Sequence, residues 1–469
     1  MIAVGSLTTR DYAPIVASLR RANADVEAAC PGDNAGRQPV QTSITGAHLF
    51  RADLVPTLGR QAIEVLDEYA PDAASLDRAL QLNTARNASR GFAETVLTRV
   101  RAKLRREPIE DLRIDFEDGY GNRPDAEEDA HAQSSAEAVA AGMRTATLPP
   151  FIGIRIKPLS APLHARSLRT LDLFVSTLAR TTGGRLPANF AVTIPKVMTV
   201  AHVSAVAATC RALERRLSLA PGSIRLELMI ETPQSILAID GSSALRRLVA
   251  AGGGRVRGAI FGTYDYTALC GITASWQHMR HAACDVARHL MQVSLAQTGV
   301  WLSDGGTSVL PVAPHARTAG RGLSAAHRRD NREAIHRAWK VHFDDVQHSL
   351  VHGYYQGWDL HAAQLPTRYA AVFAFFLAAR PAATVRLRNF VARAEQATLV
   401  GDVFDDAATG QALLNFFVRG LASGALSVDE VAQTGLTSDD HEGRSFLEVL
   451  DARRPAGRAH ARPTNRRTS

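Results

Sequence analysis

The residues that could do chemistry stand at the ends of apolar runs. The stretch LRIDFEDGYGNRPDAEEDA (112–130) closes on Asp115, Glu117 and Asp118, turns at Gly119 and Gly121, and then carries Asp125, Glu127, Glu128 and Asp129. IRLELMIET ends on Glu231, and VRGAIFGTYDY carries Asp265. An ionised carboxylate after a run that reads as buried is expensive unless it is paired or holds a cation. Two carboxylates at neighbouring strand ends form a hard-oxygen site suited to Mg²⁺ or Mn²⁺, with positions left for water and substrate. Ion pairing with Arg155, Lys157 or Lys196 is the other answer to the same charges, and spacing alone leaves both open. Further along stand Asp304, Asp359 and His361, three options for a catalytic base. His281, His315, His348 and His352 form no HExxH or HxH pattern, and no GxSxG elbow is present. Cys30, Cys210, Cys270 and Cys284 form no CxxC pair, which predicts reduced thiols in a cytoplasmic protein and no zinc site.

These residues need strands to carry them. Short aliphatic or β-branched runs cover 40–50, 112–119, 151–158, 190–197, 224–232, 256–266, 300–306 and 350–361. Longer segments of helical period separate them. Leu171, Phe174, Val175 and Leu178 share one face, and so do Met279, Ala283, Val286, Leu290 and Val293. Eight strands alternating with helices predict an α/β fold, the (β/α)₈ TIM barrel with a C-terminal helical extension. A doubly wound open sheet is disfavoured, because no strand leads into GxGxxG or GxxxxGK[ST]. The glycines of AAGGGRV (250–256) precede a strand and read as a helix-to-strand turn.

The expected organisation is a helical lead-in and loop over 1–38, the barrel over 39–365, helices over 366–451, and a disordered Arg-rich tail over 452–469. The tail holds six of the arginines and no acid, so it accounts for most of the net charge of +8. No recognition motif accompanies it, and no specific nucleic-acid partner is expected. No apolar run reads as long enough for a membrane span, and the N-terminus lacks a signal-peptide layout. The apolar face of LLNFFVRGL suggests a homo-oligomer. Along the acidic strand end, alternation places Asp115 and Glu117 on one face and Asp118 on the other. The later acids suit the first turn of a helix.

DFEDGYG, IRIK, IPKV, MIET, FGTYD and GWDLHAAQ occur in the order found in the 2-oxo acid aldolase (HpcH/HpaI) and citrate lyase β-subunit superfamily. Over roughly residues 40–365 the chain resembles that superfamily, nearest to a bacterial branch with the same long C-terminal extension. The resemblance implies a phosphoenolpyruvate/pyruvate-type barrel and a Mg²⁺-dependent carbon–carbon lyase acting on a small 2-oxo acid or its enolate. It implies Glu231 and Asp265 as metal ligands, Arg155 at the keto or enolate oxygen, and Glu117 and Asp118 beside the metal's waters. Backbone N–H groups of Gly262 and Thr263 would receive the substrate carboxylate. Lys157, Lys196 and His361 are further substrate-binding candidates. Lys157 stands where such proteins usually carry Asn, and LHA replaces IHP at 360–362, so a coenzyme A thioester is left open. A malate-synthase-like condensation or phosphoenolpyruvate chemistry is the enzymatic alternative. An idle barrel scaffold whose tail binds nucleic acid or an acidic partner is the non-enzymatic one.

Overall fold

The computed structural model describes residues 6–34, 36–84, 91–316, 322–396 and 407–436. The tail expected over 452–469 lies outside them. Eight parallel strands close a barrel in sequential order: β1 (Gln41–Gly46), β2 (Asp111–Asp115), β3 (Phe151–Arg155), β4 (Phe190–Ile194), β5 (Arg225–Ile230), β6 (Val256–Phe261), β7 (Trp301–Gly306) and β8 (Gln356–Asp359). β2, β3 and β4 are buried along their whole length; β3 and β4 accordingly read as nearly unbroken apolar runs, while β2 carries the buried charges Asp111, Arg113 and Asp115. Each strand falls within its sequence run except β2, which begins one residue earlier at Asp111, and the last is shorter, because the run's first two residues finish a long helix. β3 and β4 approach so closely that a Cβ on Gly153 would lie 2.0 Å from the Ala191 carbonyl oxygen, so only glycine fits there.

The chain divides into two compact units, the first made of Met1–Asn34, Asp115–Glu137 and Gly153–Gly305, the second of the remainder. In the first, Phe174 stacks on Phe190 at 5.9 Å and meets Phe116 edge-on at 6.4 Å. The helix His164–Thr182 buries Leu171, Phe174, Val175 and Leu178, the face its period predicts. The helix Ala282–Leu295 corrects the expectation. It buries Cys284, Ala287, Arg288, Met291 and Leu295, while Val286 and Val293 are exposed. The segment is apolar on two faces, and the buried one is chosen by Arg288, whose guanidinium reaches Asp304 at 3.1 Å.

In the second unit, the helix Leu365–Gln396 corrects another expectation. Ala362–Val391 is long and apolar enough to cross a membrane, with mean hydropathy 1.4. Its Tyr369, Phe373, Phe376 and Leu387 are buried in the fold, which accounts for the apolar content. LLNFFVRGL lies on the helix Ala407–Ala422, and its Leu413, Leu414 and Phe417 are likewise buried. Phe416 meets Phe376 at 5.1 Å, so this face is used within the chain and does not argue for an oligomer.

Ion pairs brace the second unit. Arg37 grips Glu107 with two hydrogen bonds of 2.9 and 2.6 Å, and Lys103 bonds both Glu107 and Glu110. Burial alone would raise the Glu107 carboxyl, but Arg37 and Lys103 outweigh it and hold the group at about 2. An unfolded chain binds this proton near the ordinary 4.5, so stability is present above that value and is lost as pH falls toward 2. In urea unfolding, Glu107→Gln is expected to cost about 2–3 kcal/mol at pH 7. The gap should shrink by more than half at pH 3. An unchanged gap would contradict this account of the pairing.

Candidate active site

Apart from Asp359 and His361, the residues singled out for chemistry lie in the first unit; Asp304 is on β7, and those from Asp115 to Asp265 stand at or just beyond the C-terminal ends of β2 to β6, the end where barrel chemistry is carried. β2 stops at Asp115, so strand alternation does not extend to the two acids after it. Asp115 is fully buried and takes two hydrogen bonds from Arg155, at 2.6 Å from Nε and 2.7 Å from Nη2. This bidentate lock fixes the plane of the guanidinium. Its Nη1 lies 3.0 Å from Glu117 and 3.7 Å from the Met229 sulfur. Arg155 is held firmly protonated: burial works against its charge, and Asp115 and Glu117 more than offset that.

Glu117 and Asp118 turn to the same partner rather than to opposite faces. The Lys196 ammonium bonds Glu117 and sits 3.4 Å from Asp118 and 3.4 Å from Asp265. Lys196 follows β4 with a φ of 47°, a left-handed conformation that costs a non-glycine residue free energy. That turn aims its backbone N–H at Glu231 Oε1, 2.6 Å away, while the side chain reaches the carboxylates. Burial would lower the Lys196 pKa, but Glu117 leads a group of carboxylates that raise it, so the ammonium stays charged.

Glu231 is 2 % exposed at the end of β5. The Lys196 N–H is its hydrogen bond, and among the described residues no side-chain cation forms an ion pair with it. Burial first, then the negative charge of Asp265, push its carboxyl up to about 7. Gly262 lies against it, and a Cβ there would stand 2.5 Å from Glu231 Oε2. Thr263 is buried, and its Oγ1 has no hydrogen-bond partner among the described residues. A carboxyl raised by burial and by Asp265, and an orphaned hydroxyl, are the features of a site shaped for an absent group. The donors fit a divalent cation. Among the described residues no three of Glu117, Asp118, Glu231 and Asp265 bring oxygens within 4.8 Å of one another, so the chain itself would supply at most two close carboxylates, and water and substrate would have to complete the shell.

Several expectations are corrected. The Gly262 N–H donates to the Ile230 carbonyl at 3.1 Å, continuing the β5–β6 ladder, and is not available to a substrate carboxylate. Lys157 does not pair with Asp115. It donates to the carbonyls of Phe116 and Gly121 at 2.9 and 3.1 Å and lies 3.4 Å from Glu128, which are structural partners. The acids after Gly121 open the helix Asp125–Thr145, but they also bind arginines: Asp129 takes Arg166 and Arg169. None of the three base options is an open base. Asp304 is buried against Arg288. Asp359, in the second unit, is fully buried; burial would raise its carboxyl, but Arg368 and His342 hold it low. His361, also in the second unit, caps the turn Ala362–Gln364 through Nδ1, and burial lowers its pKa. Sequence reasoning missed His202, which lines the cavity beside Lys196; it sits in the first turn of the helix Val200–Arg216, where no motif marks it.

Among solved structures, the chain is similar to a citrate lyase from Burkholderia xenovorans LB400, with a TM-score of 0.51 and 19% identity over 73% of this chain and 93% of that one. The likeness concerns the fold. Two structures of malate synthase from Haloferax volcanii align with TM-scores of 0.43 and 0.44 at 12% and 14% identity. They cover 88% and 89% of this chain and 96% and 95% of theirs. No curated protein matches. The family described as "Domain of unknown function (DUF6986)" matches residues 19–449, and over that span, which holds the barrel and every strand-end residue above, the chain belongs to this family.

Proposed function

We propose that this chain is a divalent-cation-dependent carbon–carbon lyase or aldolase that acts on a small 2-oxo acid or its enolate. The carrying observation is Glu231: a carboxyl 2 % exposed, raised to about 7, beside Asp265 and without a side-chain cation of its own. The barrel likeness to a citrate lyase supports the reaction class.

In this reading Glu231 and Asp265 would hold Mg²⁺, which would supply Lewis-acid stabilisation of negative charge on oxygen. The chain's own groups do the rest. Arg155, fixed in plane by Asp115, donates to the keto oxygen and meets the charge that grows there. Thr263 Oγ1 donates to the substrate carboxylate and so gains the partner it lacks. Glu117, whose carboxyl burial pushes up, moves the proton at the carbon next to the carbonyl. Lys196 keeps Glu117 and Asp118 in place.

Exchange of the pyruvate methyl protons for deuterium, followed by NMR, tests the enolate step without an acceptor. Wild type with Mg²⁺ is expected to exchange. Glu231→Gln and Asp265→Asn should each lose at least 100-fold of that rate and bind Mg²⁺ more weakly in calorimetry, while still unfolding cooperatively. Either variant exchanging at the wild-type rate removes that residue from the site. Arg155→Lys should slow exchange by about 10²–10³-fold with Mg²⁺ affinity little changed, because a point charge replaces a planar fork. Equal losses in both measurements would instead place Arg155 in the cation site.

A further inference from the structure

A cavity of about 650 Å³ opens beside Glu117, Asp118 and Lys196, in the size range of small-molecule sites. It is bounded by the segments that follow β2, β3 and β4. Its place next to the carboxylate cluster makes it the space for whatever the enolate carbon attacks. Its charge is the informative feature. Two cations line it, Lys157 and Lys196. The Lys157 ammonium is engaged by two carbonyls and Glu128, and lies 5.3 Å from the centre of the Tyr120 ring. The Lys196 ammonium is surrounded by Glu117, Asp118 and Asp265. Neither offers an uncommitted positive charge. His202 adds hydrogen bonding rather than charge: its Nδ1 faces the Met198 N–H at 3.5 Å, and burial lowers its pKa. The remaining wall includes Leu159, Leu163 and Met198.

We infer that this cavity receives the carbon acceptor, and that the acceptor is an uncharged aldehyde with an apolar body. The inference rests on the 2-oxo acid reading above and deepens it. A carboxylated acceptor, or the phosphates of a coenzyme A thioester, would enter beside Glu117 and Asp118 with no uncommitted cation lining the cavity to answer them. An aliphatic chain meets the leucines and the methionine and gains free energy by leaving water. In the bond-forming direction the enolate carbon's electron pair forms the new carbon–carbon bond to the aldehyde carbon. The aldehyde π pair moves to its oxygen, and the proton taken earlier from the methyl carbon is returned there through solvent. Cleavage is the reverse.

The test condenses pyruvate, with Mg²⁺ and the full-length protein, onto hexanal, glycolaldehyde and glyoxylate, and measures kcat/KM for each. Hexanal should exceed glyoxylate by at least 10-fold and should also exceed glycolaldehyde. Met198→Arg, at a half-exposed position, adds an uncommitted cation to the cavity and should move the hexanal-to-glyoxylate ratio at least 10-fold toward glyoxylate. Leu163→Arg is the second variant, expected to act the same way should the first fail to fold. Pyruvate proton exchange in wild type separates the two claims. If exchange occurs but glyoxylate or glycolaldehyde is preferred, or no acceptor condenses, the acceptor assignment is wrong and the 2-oxo acid reading stands. If hexanal is preferred but neither arginine variant shifts the ratio, the acceptor does not sit in this cavity, and the inference fails. If wild type exchanges no protons, the 2-oxo acid reading fails and the acceptor inference falls with it.

Discussion

The structure depends on one electrostatic constraint: every carboxylate carried into the barrel must be answered by positive charge or lose its own. Most are answered within the chain. Asp115 has Arg155, Glu227 has Arg257, Asp304 has Arg288, and Asp359 has Arg368 with His342. Each is a buried pair with short, directed hydrogen bonds, the geometry in which such pairs are tolerated. Glu231 is the exception. It has a backbone N–H and a neighbouring Asp265, and burial first, then the charge of Asp265, raise its carboxyl to about 7. The functional reading follows from that imbalance more than from the barrel, since one barrel hosts many chemistries.

Lys196 links the answered carboxylates to the unanswered one. Its backbone serves Glu231, and its side chain serves Glu117, Asp118 and Asp265. Its left-handed φ is what allows one residue to do both. Strain of this kind persists where surrounding contacts determine the conformation, and here four carboxylates do so. The same saturation leaves the adjoining cavity without an open cation, so the arrangement of the charge cluster also constrains what can lie beside it.

Much of this was legible in the sequence. Strands buried on both faces leave aliphatic runs, and a carboxylate at the end of such a run is conspicuous, so Glu231 and Asp265 could be read directly. Partners were harder. Arg288 and Arg368 lie on helices, 16 and 9 residues from the aspartates they bind, and strand patterning carries no trace of them. Lys157 and Lys196 look alike in sequence, each just past a strand. Only the backbone separates them, turning one to structural carbonyls and the other to the carboxylate cluster. The helix Ala282–Leu295 was misread for a related reason: two apolar faces compete, and a buried arginine selects between them.

The most direct measurement is a crystal structure of the protein with Mg²⁺ and pyruvate. The account predicts the ion bonded to carboxylate oxygens of both Glu231 and Asp265 at about 2.1 Å, with the pyruvate keto oxygen facing Arg155. An ion bound elsewhere, with Glu231 still carrying only its backbone hydrogen bond, would contradict it.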